Sequence, residues 1–339
     1  MQQSYRVAVL GASGAVGRML IELLEEREFP VAELFPLASS RSAGTNITFQ
    51  GEELEVLDVE GFDWSNVELC FFSAGGEASR RWVPEAVDAG AVVIDNTSEF
   101  RYEEDIPLVV PEVNPDAIAG YRQRGVIANP NCSTIQMLVA LKPIFDQAGI
   151  ERINVATYQS VSGAGQSGVD ELASQTAALL NARPVKSETF AQQIAFNALP
   201  HIDRFLDNGY TKEEMKMVWE THKIFGDPSI GVNPTCVRIP VFHGHAEAIH
   251  LETRIPFDAE QAKSVLRDAP GVTLCEDAQE YPTQVTHAAG EDSVFVGRIR
   301  DDISHPNGLS LWVVADNIRK GAATNAIQIA EELVKHYWH

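Results

Sequence analysis

Short apolar runs recur along the first third of the chain, separated by turn residues and by stretches of helical spacing. Tyr5–Leu10 predicts a buried strand, and after a glycine turn Arg18–Glu26 carries Met19, Ile21, Leu23 and Leu24 at helical intervals. Further strands are predicted at about Glu33–Ala38, Val67–Ser73, Ala91–Asp95, Pro107–Val110 and Gly125–Ala128, with a helix at about Ala78–Ala89. Such alternation predicts a parallel, doubly wound sheet over residues 1–130. After Asn131 the texture changes. A helix is predicted at about Ser133–Ala148, then strands at about Arg152–Ser160, Pro234–Val241, Ala246–Pro256, Val272–Glu276, Ser293–Arg300 and Ser310–Ala315. Several of these alternate in part, which predicts a mostly antiparallel sheet with one covered face. Helices are expected at about Gly168–Leu180 and Asp258–Asp268, and an irregular surface excursion over Asn181–Asp203. A last helix, about Lys320–Tyr337, is expected to return to the first domain. The expected division is thus 1–130, completed by about 320–339, and 131–319.

Composition mainly excludes. The 339 residues, 45% hydrophobic and 22% charged, suit a two-domain globular chain. No run approaches the roughly 18 apolar residues of a membrane span. With 26 basic and 48 acidic residues the net charge is -22, which repels phosphate backbones and anionic membranes, so neither nucleic acid nor membrane is an expected partner. Cys70, Cys132, Cys236 and Cys275 are scattered, and the start Met1-Gln2-Gln3-Ser4 lacks the apolar core of a signal peptide. Free thiols in a cytoplasmic protein are the simplest expectation.

Four segments carry candidate chemistry. Gly11-x-x-Gly14-x-x-Gly17 lies between a strand and a helix. There glycine lets the backbone approach a pyrophosphate while the helix N-terminus supplies N–H donors. This predicts a Rossmann-type dinucleotide-binding domain. The second strand ends in Ser39-Ser40-Arg41-Ser42 and has no acid for a ribose 2′-hydroxyl. Arg41 with its flanking hydroxyls suits a 2′-phosphate, so NADP(H) is the expected cofactor. Cys132 falls at the predicted start of a helix, where dipole and free N–H groups favour a thiolate and can stabilise an oxyanion. His245, in Arg238-Ile-Pro-Val-Phe-His243-Gly-His245, is a candidate acid or base for that sulfur. His243 and His245 have no third ligand at a recognisable spacing, so no metal is expected.

Taken together, the segments resemble the aspartate-β-semialdehyde dehydrogenase family. The resemblance is carried by Asn131-Cys132-Ser133-Thr134, by Gln159 with Ser162-Gly163-Ala164-Gly165, and by Arg238 seven residues before His245. It extends to Ser98-Glu99-Phe100-Arg101, Glu220-Thr-His-Lys223 and Asp316-Asn317-Ile318-Arg319-Lys320-Gly321, so it covers nearly the whole chain. It implies an α/β fold, a Rossmann-type NADP-binding domain followed by an α+β catalytic and dimerisation domain. It also implies reduction of L-aspartyl 4-phosphate to L-aspartate 4-semialdehyde with release of phosphate, a step towards lysine, methionine and threonine, in a homodimer. On this resemblance Cys132 is the nucleophile, His245 the acid/base and Gln159 the residue that orients the acyl group. Arg101, Lys223 and Asn131 would hold phosphate, and Arg238 and Glu220 the α-carboxylate and α-amino groups. Gly11, Ser13, Gly14, Ala15, Val16, Ser39, Arg41, Ser42 and Asn317 would line the cofactor site, with Gly163 and Gly165 near the nicotinamide. The family often has Lys where this chain has Thr45, which leaves Arg41 as the main 2′-phosphate charge.

Rival readings fit less well. N-acetyl-γ-glutamyl-phosphate reductases typically read Gly-Cys-Tyr-Pro at the nucleophile, and glyceraldehyde-3-phosphate dehydrogenases Ser-Cys-Thr-Thr with an acidic NAD residue. A non-catalytic NADP-binding sensor would not need Cys132 and His245, and a cofactor-free thiol hydrolase leaves the glycine turn unexplained.

Overall fold

The computed structural model describes residues 4–277 and 279–338. Met1-Gln2-Gln3, part of the leader expectation, and His339, in the expected last helical stretch, lie outside the described residues. The chain forms two compact units, one of residues 1–131 with 322–339 and one of residues 132–321.

The first unit contains β1 (Tyr5–Leu10), α1 (Ala15–Glu26), β2 (Val31–Ala38), β3 (Asn46–Phe49), β4 (Glu52–Glu55), β5 (Leu57–Asp58), β6 (Leu69–Phe72), α2 (Gly76–Asp88), β7 (Val92–Asp95) and β8 (Val126–Ala128). Its main sheet is parallel throughout, in the order β5-β2-β1-β6-β7-β8. The β3–β4 hairpin was not legible in the apolar pattern, since both strands are short and mostly exposed. Gln50 and Gly51 at its tip both have positive φ, which suits a two-residue hairpin turn. Pro107–Val110 does not form the expected strand and makes only a bridge between Leu108 and Ala128. Its backbone is shared between partners: Ala128 N donates to Pro107 O and Val109 N to Ala128 O, while Val110 N donates to Asn114 Oδ1 and Leu108 O accepts from Asn114 Nδ2.

The second unit contains α3 (Cys132–Ala148), β9 (Ile150–Gln159), α4 (Gln166–Leu180), α5 (Lys212–Phe225), β10 (Gly231–Arg238), β11 (His245–Thr253), α6 (Ala259–Arg267), β12 (Val272–Cys275), β13 (Val294–Asp301) and β14 (Gly308–Ala315). Its sheet runs β10-β9-β11-β14-β13-β12 and is mixed rather than mostly antiparallel. The three central pairings are antiparallel and the two edge pairings parallel. The long crossover through α4 and α5 brings β10 back parallel to β9, as a parallel neighbour requires. Helix α3 packs against both α5 and α6 and against the central strands. Alternate residues of β9, such as Ile153, Val155 and Thr157, are buried, whereas Asn154, Ala156 and Tyr158 between them are half-buried.

A short segment, Arg319–Ala323, leads into α7 (Thr324–His336), which belongs to the first unit. There Ala326, Ile327, Ile329, Ala330 and Leu333 join Leu20, Leu23 and Leu24 of α1 in one core. Glu331 accepts two hydrogen bonds of 2.8 Å from Arg27, and Asn325 Nδ2 donates to Val109 O at 3.0 Å. Tyr5 stacks on Trp338 with ring centroids 4.9 Å apart.

Candidate active site

Strand pairing assembles the centre of the second unit. Arg238 lies opposite Gln159 across the parallel β10–β9 pair, and His245 lies opposite Gln159 across the antiparallel β9–β11 pair. Directly paired residues share a face of the sheet. Arg238, Gln159 and His245 therefore form one row at the end of three adjacent strands, although 79 and 7 positions separate consecutive members along the chain. All three are buried. Two residues down each strand, Cys236, Thr157 and Glu247 form a second row that supports the first.

Hydrogen bonds fix the upper row. Thr157 Oγ1 donates to Gln159 Oε1 at 3.0 Å, and Gln159 Nε2 donates to Glu213 Oε1 at 3.1 Å. Arg238 Nη1 donates to Ser160 O at 2.7 Å. Ser160 N–H donates to His245 Nδ1 at 3.1 Å, and Ser160 Oγ donates to Asn317 Oδ1 at 3.0 Å. Asn317 Oδ1 also accepts from Gly244 N at 2.9 Å, which ties the loop before His245 to the end of β14. Burial first, and then the Arg238 guanidinium, lower the proton affinity of His245 to a pKa of about 3, against smaller contributions from the Gly244 backbone and Glu213. The ring is neutral at physiological pH.

Cys132 opens α3, so its sulfur lies at the positive end of a helix dipole. It is partly exposed, whereas Cys70 and Cys236 are buried. Burial drives the thiols of Cys70 and Cys236 well above the usual range, which makes them inert core residues. The Arg238 guanidinium, lowered in pKa mainly by burial, is supported by the negative charge of Glu213 and then of Cys132, which puts the cysteine within its electrostatic reach. One turn along α3 from Cys132, Gln136 Nε2 stands 3.5 Å from the His245 carbonyl. Two glycines keep space open. A Cβ on Gly321 would stand 2.8 Å from Cys132 Cβ, and a Cβ on Gly163 would stand 2.8 Å from Arg238 Nη1 and 3.4 Å from the His245 ring.

Helix α5 supplies charge to the same unit. Its Glu213, Lys216, Glu220 and Lys223 fall at helical spacing with alternating sign, and Glu213 pairs with Lys216 at 2.9 Å. Glu220 is fully buried and Lys223 half-buried. Arg101 and Asn131 belong to the first unit, and both are buried. There Arg101 Nη2 donates to Asn96 O at 2.8 Å, beside the buried Asp95. Gly165 has φ +80 and caps α4, so it turns the chain out of the Ser160–Ala164 segment.

The first unit also holds a cleft of about 490 Å³ at the C-terminal ends of its strands, lined by Gly11, Ser13, Gly14, Ser39, Arg41 and Ser42. Ala15 and Val16 begin α1, whose cap residue Gly14 contributes no side-chain hydrogen bond, and no acid stands in its first turn. Its first N–H groups are thus suited to an anion. A Cβ on Gly11 would press to 2.8 Å on the Ser73 backbone, and φ there is +93. Thr45, in place of lysine, donates from Oγ1 to Ser42 O at 2.8 Å and stiffens the Arg41 turn. Arg81, which lies over Trp82 and pairs with Glu60 at 2.6 Å, also lines the cleft. These features fit a dinucleotide carrying a pyrophosphate and an extra phosphate. Among the described residues no cluster of His, Cys, Asp and Glu could hold a metal ion, and no helix is long and apolar enough to cross a membrane.

The family models of the semialdehyde dehydrogenase NAD binding domain and dimerisation domain match residues 6–121 and 141–320. Aspartate-semialdehyde dehydrogenase 2 of Vibrio cholerae is 66% identical over 338 residues, covering 100% of both chains. The chain belongs to the aspartate-semialdehyde dehydrogenase family. A crystal structure of aspartate semialdehyde dehydrogenase II from V. cholerae, complexed with ASA, shares 66% identity and a TM-score of 0.98, over 99% of this chain and 100% of that one. The enzyme from Candida albicans, solved with NADP, has a TM-score of 0.77 at 26% identity, over 98% of each chain.

Within this aspartate-semialdehyde dehydrogenase fold, several residues that shape the site had escaped the sequence reading. Thr157, Ser160 and Glu213 act only through partners that strand register brings close. Helix α5 itself went unread. Its start carries a readable signal, however: Thr211 and Glu214 form a capping box, and Gly226 ends the helix in the left-handed conformation.

Proposed function

We propose that this enzyme reduces L-aspartyl 4-phosphate to L-aspartate 4-semialdehyde with NADPH, reversibly, through a thioester on Cys132. The observation that carries the reading is Cys132 at the N-terminus of α3, within electrostatic reach of Arg238, in a unit where Arg238, Gln159 and His245 share one row. The Cys132 thiolate attacks the acyl carbon, and phosphate leaves with the bonding pair. The resemblance gives Lys223, Arg101 and Asn131 to that phosphate. Arg238 and Glu220 hold the α-carboxylate and α-amino groups, a division that matches their opposite charges. Gln159, fixed by Thr157 and Glu213, orients the acyl group. NADPH bound in the first unit's cleft supplies the hydride that reduces the thioester. Arg41, Ser39 and Ser42 hold its 2′-phosphate, the start of α1 holds the pyrophosphate, and Gly163, Gly165 and Asn317 serve the nicotinamide end. Residues 1–130 with the last helix form the cofactor domain, and residues 131–319 the catalytic one.

The protein works as a homodimer in the cytoplasm. The face of the second sheet carrying half-buried Ala156, Tyr158, Ala248 and Trp312 supports pairing with a second copy. Light scattering at twice the chain mass is the expected result. The deciding activity test supplies L-aspartate semialdehyde, NADP and phosphate and follows NADPH. Activity is expected only when all three are present. Equal activity without phosphate, or with Cys132→Ser, sinks the thioester reading.

A further inference from the structure

Three asparagines at one edge of the parallel sheet form a directed line inside the first unit. Asn96 follows β7 and Asn129 follows β8, one step beyond the register pair of Asp95 and Ala128. Asn325 lies in the first turn of α7. Asn325 Nδ2 donates to Asn129 Oδ1 at 2.7 Å, and Asn129 Nδ2 donates to Asn96 Oδ1 at 2.7 Å. Each amide is oriented by a backbone carbonyl, which can only accept. Asn325 Nδ2 also donates to Val109 O at 3.0 Å, Asn129 Nδ2 to Ala322 O at 3.1 Å, and Asn96 Nδ2 to Phe72 O at 3.4 Å. Turning any one of the three over would set oxygen against oxygen. Asn325 and Asn129 are buried, so removing a partner leaves a polar atom that water does not reach.

The line leads to the two residues of this unit that are assigned to phosphate above. Asn96 O accepts from Arg101 Nη2 at 2.8 Å. Asn129 N donates to Asp95 O at 2.8 Å, and only Pro130 separates Asn129 from Asn131. A guanidinium is a rigid planar fork, so holding one of its N–H groups on Asn96 O sets the plane in which the others point. The Asp95 carboxyl, within electrostatic reach of Arg101, accepts from Ser79 Oγ at 2.9 Å and from Thr97 N and Oγ1 at 3.0 and 2.8 Å.

We propose that Asn325 is a positioning residue for phosphate: through Asn129 and Asn96 it fixes the direction of Arg101 and the approach to Asn131, so the last helix of the chain sets phosphate affinity without touching the ligand. The inference rests on the assignment of Arg101 and Asn131 to phosphate and deepens it. The place of α7 separates this role from plain support of the fold. Helix α7 packs on α1, which follows the central strand β1 and whose first N–H groups are assigned to the cofactor pyrophosphate. A loosened α7 would therefore disturb cofactor binding at least as much as phosphate binding. The asparagine line runs instead along the ends of β8 and β7, at the sheet edge, so its loss is felt at phosphate.

The test follows NADPH formation from L-aspartate semialdehyde by the whole enzyme, with inorganic phosphate and NADP varied in turn. Asn325→Ala is expected to raise the phosphate KM about ten-fold and to leave the NADP KM within about two-fold. Equal rises in both, or an unchanged phosphate KM, overturn the proposal. Arg27→Ala is the control, because it removes the two hydrogen bonds to Glu331 of α7 and leaves the asparagines in place. Its phosphate KM is expected to stay within about two-fold of the parent, and a rise equal to that of Asn325→Ala overturns the proposal. Asn96→Ala cuts the line at its half-buried end and keeps the backbone carbonyl that Arg101 uses, so it carries the test even where Asn325→Ala fails to fold. The same split between phosphate and NADP is expected, and its absence overturns the proposal. Asn325→Ala added to Asn96→Ala should then raise the phosphate KM by less than about two-fold more, because changes in one line are not independent; effects that multiply overturn it. Failure of the underlying assignment appears separately, as an unchanged phosphate KM in Arg101→Ala or as absence of phosphate-dependent NADPH formation by the unaltered enzyme.

Discussion

The two six-stranded sheets serve their sites in different ways. In the all-parallel sheet of the first unit, the cleft is bordered by turns beyond the strand ends, and backbone does much of the work: Gly11, Gly14 and the first N–H groups of α1. Its candidate charge, Arg41, is exposed to solvent. In the mixed sheet of the second unit, the proposed chemistry stands on strand-end side chains that are almost wholly buried and linked by hydrogen bonds. Backbone geometry gives the first site tolerance to side-chain change. A buried lattice gives the second precision and makes it brittle, because removing one member leaves others unsatisfied.

The largest expected effect tests the brittle site. Cys132→Ser should lower phosphate-dependent NADPH formation by at least about 10⁴-fold while leaving NADPH binding, measured by fluorescence titration, within about two-fold. Loss of both together would erase the separation between the two sites. Gly321→Ala probes the same place without touching a reactive group. Its methyl must displace Cys132 Cβ from 2.8 Å, and about 10²-fold is expected to be lost in kcat with little change in the cofactor KM. An unchanged kcat would mean that the nucleophile has more room than the geometry gives it.

The tolerant site should respond more gently. Arg41→Ala is expected to reduce the preference for NADPH over NADH, as a ratio of kcat/KM values, by about ten-fold, since an exposed charge is screened. A preference left intact would move the 2′-phosphate to another cation, with Arg81 as the next to examine. The smallest effect concerns pH. His245 has a pKa of about 3 in the folded protein and an ordinary value near 6.5 when unfolded. Between these values the unfolded chain binds the extra proton, so stability should fall as pH drops from about 6.5 towards 3. His245→Gln should flatten part of that decline in urea unfolding midpoints; an identical decline would assign it to other groups.

The sequence made the first site far easier to read than the second. A strand, a glycine turn and a helix lie within 22 consecutive residues, Tyr5 to Glu26, and local spacing reveals them. The row of Arg238, Gln159 and His245 depends on register between strands far apart in the chain. Motif resemblance could name these residues, yet it gave no reason for them to be neighbours. Helix α5 escaped because its inward stripe carries Glu213, Glu220 and Lys223 where an apolar pattern is sought. Ser160 and Thr157 look like ordinary strand polar residues until their partners are placed. Pro107–Val110 erred in the other direction: its apolar run is a mostly buried connection held by a single bridge to Ala128 and by the Asn114 side chain.

Helix α7 also has a consequence for the order of events during synthesis. The first unit is closed by a segment that leaves the ribosome only after all of residues 132–321 has been made. At roughly 5–20 residues per second, the nascent sheet waits on the order of ten to forty seconds for Ile327, Ile329 and Leu333 to cover Leu20 and Leu24. The second unit is one uninterrupted segment and is complete before α7 is made. The unit whose strands are made first is therefore completed after the other, because its core waits for α7.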